Sequence, residues 1–141
     1  RLQVTGPRTA PALAGGLSLI SQSGDTGPAV VDICARRGIG INTFVSVGDE
    51  AVVSVFDVLE YLADDASTRC VLLCLERLTD GRRFLDAARR VTAQKPVAVL
   101  ASGLTDRIFR AAARQAGVVL AETPEDLVAR GSTLASLPPI F

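Results

Sequence analysis

One short segment, Ser21-Gln22-Ser23-Gly24-Asp25-Thr26, combines small residues with side chains that can donate hydrogen bonds. Small residues allow backbone N–H groups to approach an anion closely, and the three hydroxyl side chains of this segment add further donors. If a helix begins at its end, the positive end of the helix dipole also favours an anion. Residues 21–26 therefore predict a phosphate-binding loop. A simpler interpretation stays open, in which Ser23 only caps the helix and Gly24 only forms the turn.

Asp25 works against tight anion binding at this loop. A carboxylate in the first helical turn already interacts favourably with the helix dipole. It would repel a phosphate at ~4–6 Å by roughly 1 kcal/mol or more in partly wet surroundings. We therefore expect that any anion binds weakly here.

The loop must be positioned by a chain in which short apolar runs alternate with longer amphipathic segments. The apolar runs cover residues 17–21, 41–47, 70–75, 97–101 and 118–121. The amphipathic segments between and after them lie near residues 25–37, 53–63, 81–92, 106–116 and 124–129. Continuous apolar strands are typical of a parallel sheet covered on both faces. The pattern predicts an α/β fold, a flavodoxin-like doubly wound sheet of five parallel strands in three αβα layers.

Three segments are expected along the chain. Residues 1–16 are rich in Pro, Gly and Ala and predict a linker from a preceding domain, residues 17–137 form the globular domain, and 138–141 are a tail. Gly131 is expected to end or kink the last helix, which runs to about Ala129. The absence of Met, even at the first position, indicates a segment of a longer protein or a processed product.

The composition excludes several classes of function. Hydrophobic residues make up 48% of the chain, and 15 basic residues balance 15 acidic ones, so neither disorder nor recognition of nucleic acid or anionic membrane by bulk charge is expected. The chain has no His, which excludes His-based acid/base catalysis and His-ligated metal within it. The three cysteines, Cys34, Cys70 and Cys74, are too few and badly spaced for a metal site and indicate buried thiols.

Location and source follow from the same composition. No apolar run approaches the ~18 residues of a membrane span and no signal peptide is evident, which predicts a cytoplasmic protein without membrane contact. All basic residues except Lys95 are Arg, and Ala and Val are abundant, which indicates a GC-rich bacterial genome.

Two other classes of protein with the predicted fold, flavodoxins and phosphoacceptor receiver domains, match the sequence less well. A flavodoxin-type phosphate loop has the similar pattern Thr-x-Thr-Gly-x-Thr, but flavin sites need aromatic walls. The later loops at residues 76–79 and 102–105 contain no aromatic residue. A phosphoacceptor receiver domain needs acidic residues after the first strand and a Lys after the last, and both are missing.

An ordered set of motifs resembles the second domain of the NDP-forming acyl-CoA synthetases, relatives of the succinyl-CoA synthetase α subunit. The set runs from Gly15 almost to the end of the chain. It comprises Gly16-Leu17-Ser18-Leu19-Ile20-Ser21-Gln22-Ser23-Gly24, Phe44-Val45-Ser46-Val47-Gly48-Asp49-Glu50, Asp57-Val58-Leu59-Glu60-Tyr61-Leu62, Asp64-Asp65 with Thr68, Leu75-Glu76 with Asp80-Gly81-Arg82, Lys95-Pro96-Val97 and Gln115-Ala116-Gly117-Val118.

This resemblance implies a role in phosphoryl transfer. In that family, the domain helps to pass phosphate through a histidine, between an ATP-grasp domain and the site where acyl-CoA forms. The loop at residues 21–24 would then stabilise the phosphohistidine, and Glu76 matches the residue that contacts it. For the full-length protein the resemblance implies CoA and ATP or ADP as ligands. It also implies a CoA-binding Rossmann domain and an ATP-grasp domain or subunit as partners.

The departure from the family is the missing histidine. The family carries it in a Ser-His-Thr-Gly-type loop after the fourth strand, whereas Ala101-Ser102-Gly103-Leu104-Thr105 leads almost directly into the next helix. A phosphoryl relay needs a nucleophile, so no catalytic residue is assigned and the domain is expected to be inactive alone. The alternative is a regulatory or scaffolding pseudo-enzyme domain, for example of an acyltransferase-type fusion protein.

Other residues near the same edge have open roles. Glu76 could be functional or could pair with Arg77, Arg82 or Arg83, and Asp49-Glu50 could face a partner domain or form a polar turn. Asp64-Asp65 are expected to end a helix and solvate its loop. The short segment after the fourth strand is expected to expose an apolar rim at Leu78 and Leu104 that a neighbouring domain or a second copy covers.

Overall fold

The computed structural model describes residues 13–50, 52–104 and 106–138. Within them, strands and helices alternate in the predicted order. The strands are β1 Leu17–Ser21, β2 Ile41–Ser46, β3 Cys70–Leu75, β4 Val97–Ala101 and β5 Val119–Ala121. The helices are α1 Thr26–Arg36, α2 Val55–Asp64, α3 Gly81–Thr92, α4 Arg107–Gln115 and α5 Pro124–Ser136.

The strands form one parallel sheet in the order β2-β1-β3-β4-β5. The chain order reverses between β1 and β3, so the connections from these two neighbours leave toward opposite faces of the sheet. The crevice at their carboxyl ends is the usual ligand site of such sheets. This confirms the predicted flavodoxin-like fold and places residues 21–26 at that crevice.

Two apolar clusters enclose the sheet and produce the three predicted layers. In β3, Val71, Leu73 and Leu75 pack into the cluster beneath α2, α3 and α4. The alternate residues of the same strand, Cys70, Leu72 and Cys74, pack into the cluster beneath α1 and α5. All six are buried. A strand buried on both faces carries apolar residues throughout, which explains the unbroken apolar run in the sequence.

Side-chain caps set where several helices begin. The Oγ of Ser54 accepts a hydrogen bond from the Asp57 N–H, and the Asp57 carboxylate accepts one from the Ser54 N–H, which together form a capping box. Thr123 caps α5 through the N–H of Asp126, with Pro124 in the first turn. The predicted start of α5 is therefore confirmed.

The predicted end of α5 is wrong. The helix continues past Ala129 and Gly131 to Ser136. Gly131 is buried in its middle, against the side chain of Leu72 in β3. It therefore permits close packing of helix on sheet rather than ending the helix.

The two predicted terminal segments lie largely outside the described residues, namely 1–12 of the linker and 139–141 of the tail. The part of the linker that is described contacts the sheet. The carbonyl of Leu13 accepts the N–H of Ile41 at 2.7 Å, and the carbonyl of Gly16 accepts the N–H of Arg69 at 2.7 Å. The boundary at residue 16 stays a prediction. No helix among the described residues is long and apolar enough to cross a membrane.

Candidate functional site

The loop after β1 is shaped by the hydroxyl groups of two serines. The Ser21 Oγ donates to the Ser23 carbonyl at 2.8 Å and accepts the Ser23 N–H at 3.1 Å. The Ser23 Oγ accepts the N–H of Thr26 at 3.0 Å and that of Asp25 at 3.4 Å. Both serines are buried. Ser23 therefore caps the start of α1, as one interpretation of the sequence predicted. The hydroxyls of both serines stabilise the loop by hydrogen bonds within it.

The groups that remain available to a ligand lie at the tip of the loop. Gly24 is exposed, and its N–H has no hydrogen-bond partner among the described residues. The N–H of Asp25 has only the long bond to Ser23, and the Thr26 side chain is half-buried. These groups lie at the start of α1, which is 11 residues long. An anion at this tip would meet one or two N–H groups and the positive end of a helix dipole.

Asp25 lies at this tip as the residue before α1, not inside its first turn. Its side chain makes no capping hydrogen bond, and the residue is exposed. No acidic residue lies in the first turn of α1. The carboxylate that would oppose an anion is thus on the loop side of the helix end.

Gln22 connects this loop to the loops that follow the two neighbouring strands. Its Nε2 donates to Oε1 of Glu50, after β2, at 2.6 Å. Its Oε1 accepts the N–H of Glu76 at 2.7 Å and that of Arg77 at 3.1 Å, both directly after β3. The residue is 9% exposed. Because β1 lies between β2 and β3, one side chain reaches both loops.

Glu76 lies at the predicted edge, with its backbone fixed and its side chain exposed. Among the described residues its carboxylate forms no ion pair. Two of the three arginines weighed as its partners contact other carboxylates instead, Arg77 with Asp49 and Arg83 with Asp57, each at 3.0 Å. The structure thus gives Glu76 a defined position beside the loop.

Glu50 is the functional candidate that sequence reasoning undervalued. It was expected in a polar turn or facing a partner domain, and its carboxylate is held next to the loop after β1 by Gln22. Its φ of 58° lies in the left-handed region, which few residues other than Gly adopt. Gly48, two residues earlier, also has a positive φ, of 51°. In the sequence, this glycine was the local signal of an unusual turn.

The segment after β4 closes against the sheet rather than exposing an apolar rim. Leu104 and Leu78 are both partly buried and pack against the core beneath α2–α4. The N–H of Ser102 donates to the Leu75 carbonyl at 2.8 Å, which holds the segment close to β3. The prediction of an exposed apolar rim at Leu78 and Leu104 is therefore wrong, because both side chains pack against this core.

A cavity of about 250 Å³ lies beside this segment, between the ends of β4 and β5 and helix α4. Its lining includes Leu100, Ser102, Phe109 and the ion pair between Arg110 and Glu122, in which Nη2 and Oε1 are 2.7 Å apart. A further cavity of about 360 Å³, with Arg69, Lys95 and Leu134 in its lining, lies at the opposite edge of the sheet. Only the first is near the candidate site.

That opposite edge holds a polar cluster around Asp65. The Asp65 carboxylate accepts the Thr68 hydroxyl at 2.6 Å and the Asn42 amide at 2.8 Å. Since Thr68 gives its proton to Asp65, the Ser18 hydroxyl must donate to Thr68 Oγ1, at 2.7 Å. Lys95 Nζ donates to the Asp65 carbonyl at 2.7 Å. Asp65 was expected to solvate a loop; instead it joins the sheet to the end of α2.

The three cysteine thiols are buried in apolar surroundings. Burial raises the pKa of Cys34 to about 11 and those of Cys70 and Cys74 to about 12. Such thiols are protonated at neutral pH and therefore poor nucleophiles and ligands. Among the described residues, no group of His, Cys, Asp and Glu could hold a metal ion.

The sheet order defines a flavodoxin-like domain with the loop after β1 at its switch point. The chain belongs to the family described as succinyl-CoA ligase like flavodoxin domain, which matches residues 14–134. This confirms the resemblance to the CoA-ligase domain of NDP-forming acyl-CoA synthetases.

Known relatives agree with this assignment. The acetate–CoA ligase [ADP-forming] I subunit alpha of Pyrococcus furiosus is 41% identical over 105 residues, which are 74% of this chain and 23% of that protein. The acetate–CoA ligase [ADP-forming] of Methanocaldococcus jannaschii is 38% identical over 81% of this chain and 18% of its own length. The chain thus spans less than a quarter of either protein.

A solved structure shares the fold closely. It is the dinucleotide forming acetyl-coenzyme A synthetase 1 of Ca. Korarchaeum cryptofilum in complex with phosphate and ADP. The TM-score is 0.85 at 30% identity, over 91% of this chain and 32% of that one. This similarity confirms the fold independently of sequence patterns.

Proposed function

We propose that this chain is the CoA-ligase domain of an acyl-CoA synthetase-like, NDP-forming acid–thiol ligase, and that it supplies an anion-binding loop but no phosphoryl carrier. The observation that carries the proposal is the loop at the switch point in a chain without His. Ser21 and Ser23 hold its shape, and the N–H of Gly24 is left without a partner among the described residues.

The anion site is formed by residues 21–26 with unequal roles. The N–H groups of Gly24 and Asp25 and the hydroxyl of Thr26 contact the phosphate. Ser21, Gln22 and Ser23 shape the loop, because their side chains already hydrogen-bond within the protein. The Asp25 carboxylate keeps the affinity low by charge repulsion.

The domain does not carry phosphate covalently. A relay between two sites needs a nucleophile that can be phosphorylated and then release the phosphate. The buried thiols, with raised pKa values, do not supply it. The complete reaction therefore depends on other parts: a CoA-binding Rossmann domain, an ATP-grasp domain or subunit, and CoA with ATP or ADP. The names of the relatives, ADP-forming CoA ligases, support CoA and ADP as ligands of the complete enzyme.

A regulatory or scaffolding role is the second candidate, and the missing histidine favours it. A domain that keeps the fold but lacks the carrier could serve assembly, for example within an acyltransferase-type fusion protein. The neighbouring domains in the full-length gene separate the two candidates. Rossmann and ATP-grasp neighbours support the ligase, and an acetyltransferase neighbour supports the second role.

The proposal is tested by phosphate transfer and phosphate binding on the same protein. Incubation with radiolabelled ATP, alone and with an ATP-grasp protein of the family, should leave no acid-labile phosphate on this chain. Titration with inorganic phosphate should shift the amide NMR signals of Gly24 and Asp25 at millimolar concentrations. Stoichiometric labelling would refute the lost relay, and unchanged amide signals would refute the anion site.

A further inference from the structure

The side chain of Gln22 uses both ends of its amide to join three loops. Its carbonyl oxygen accepts two consecutive N–H groups, those of Glu76 and Arg77, and its nitrogen donates to the carboxylate of Glu50. Its own N–H donates to the Cys74 carbonyl at 3.0 Å, which fixes the start of the side chain against β3. Buried polar groups are costly to leave unpaired, so these bonds hold the side chain in one orientation.

Only an amide of this length satisfies both neighbours. A Glu in its place could still accept from Glu76 and Arg77 but would face Glu50 with a second carboxylate. A shorter or apolar side chain would leave the two N–H groups without their acceptor. The requirement is therefore chemical as well as geometric.

The loop after β2 is the part that most needs this restraint. Glu50 has a left-handed backbone conformation, which persists only when surrounding contacts hold it. Among the described residues, two side-chain contacts tie this loop to the loops after β1 and β3, the bond to Gln22 and the ion pair between Asp49 and Arg77. The ion pair is exposed, with 93% of the Asp49 side chain accessible. Exposed pairs contribute little, so the bond to Gln22 dominates.

We propose that Gln22 is a positioning residue, which makes no contact with the anion but couples the loops after β1, β2 and β3 into one unit. It places Glu50 and Glu76 on the two sides of the phosphate-binding loop. The relevance of this coupling to ligand binding rests on the proposed function; the coupling itself does not. It predicts that a change at Glu50 is transmitted to Glu76 and Arg77, although the Glu50 side chain hydrogen-bonds to neither.

The test measures amide hydrogen exchange of Glu76 and Arg77 by NMR in variants of the complete chain. Glu50→Ala removes the acceptor and should speed exchange at both amides by about fivefold, the effect of losing one buried hydrogen bond. Gln22→Glu removes the donor and places a second carboxylate against Glu50, so it should speed exchange at least as much. Glu50→Gln keeps an acceptor without the charge and should stay within about twofold of the original protein.

The decisive variant is the double substitution Gln22→Glu with Glu50→Gln. It reverses the direction of the hydrogen bond and preserves the total charge, so exchange should return to within about twofold of the original. Asp49→Asn is the control, since it removes only the exposed ion pair between the loops after β2 and β3. Unchanged exchange in Glu50→Ala, or no recovery in the double variant, would overturn the proposal.

Phosphate titration of the same variants separates this inference from the proposed function. A positioning role predicts weaker phosphate binding in Gln22→Glu and recovery in the double variant, which a loss of general stability would not reproduce. If the double variant folds like the original but binds phosphate no better than Gln22→Glu, positioning is refuted. If the original chain binds no phosphate, the anion site fails and the exchange rates still decide the coupling.

Discussion

Gly131 of α5 lies so close to Leu72 of β3 that a β-carbon at position 131 would overlap the Leu72 side chain. Both residues are buried, Leu72 at the centre of the sheet and Gly131 in the helix that covers it. The helix can approach the sheet this closely only because position 131 has no side chain. The contact sets the distance between two layers of the fold.

Gly131→Ala should therefore destabilise the domain even though Ala is the better helix former. Ala raises helix propensity by about 1 kcal/mol, but overpacking against Leu72 costs about 1–3 kcal/mol. We expect a net loss in the free energy of unfolding, measured by urea denaturation. The double variant Gly131→Ala with Leu72→Ala should lose less than the sum of the two single changes. A more stable Gly131→Ala variant would show that the helix can shift without cost.

Asp25→Ala should tighten phosphate binding at the loop. Removing the carboxylate relieves ~1.4 kcal/mol of repulsion at most, which corresponds to a gain of up to about tenfold in affinity. The measurement is the phosphate titration followed at the Gly24 amide. Asp32→Ala is the control, because Asp32 lies further along α1 in an ion pair with Arg36. Equal effects of the two changes would mean that only net charge matters.

Asp65→Asn should destabilise the domain in a pH-dependent manner. The hydroxyl of Thr68 donates to the Asp65 carboxylate and, with the bonds from Ser67 and Asn42, holds its pKa below the ordinary 3.8. A depressed pKa stabilises the folded state above the pKa of the unfolded chain, and this contribution is lost as the pH falls through the folded value.

We therefore expect Asp65→Asn to cost about 1 kcal/mol at pH 7, and the difference from the original protein to shrink below about pH 4. Thermal unfolding across this range provides the measurement. Asp64→Asn is the matched control, since Asp64 forms an exposed ion pair with Arg90 and no other ion pair among the described residues. A constant difference between pH 7 and pH 3 would contradict the assignment.

Leu104→Asp should lower the thermal stability of the isolated domain. The side chain packs against the core beneath α2–α4, so a carboxylate there loses apolar contact and is partly desolvated. A decrease in Tm of about 5 °C or more is expected. The exposed Ile108 provides the control, with Ile108→Asp leaving the Tm nearly unchanged. An unchanged Tm for Leu104→Asp would restore the idea of an exposed rim.

The elements and their order could be predicted from the amino-acid sequence. Apolar runs as long as a strand, helical spacing and caps such as Thr123 are local patterns, and each depends on contacts within a few residues. Strands buried on both faces and right-handed crossovers then leave few arrangements of the sheet. The candidate loop could be found in the same way, because its position after β1 and its small residues are local features.

The contacts between distant side chains became known from the three-dimensional structure. Gln22 contacts Glu50 and Glu76, 28 and 54 residues further along the chain, because β1 lies between β2 and β3. Gly131 was predicted to end a helix, because a glycine that ends a helix and a glycine that permits close packing inside one look alike in the sequence. Its contact with Leu72 shows that it is the second kind. Leu104 is partly buried because its side chain packs against the core beneath α2–α4. Such contacts depend on the arrangement of distant segments, which local patterns do not encode.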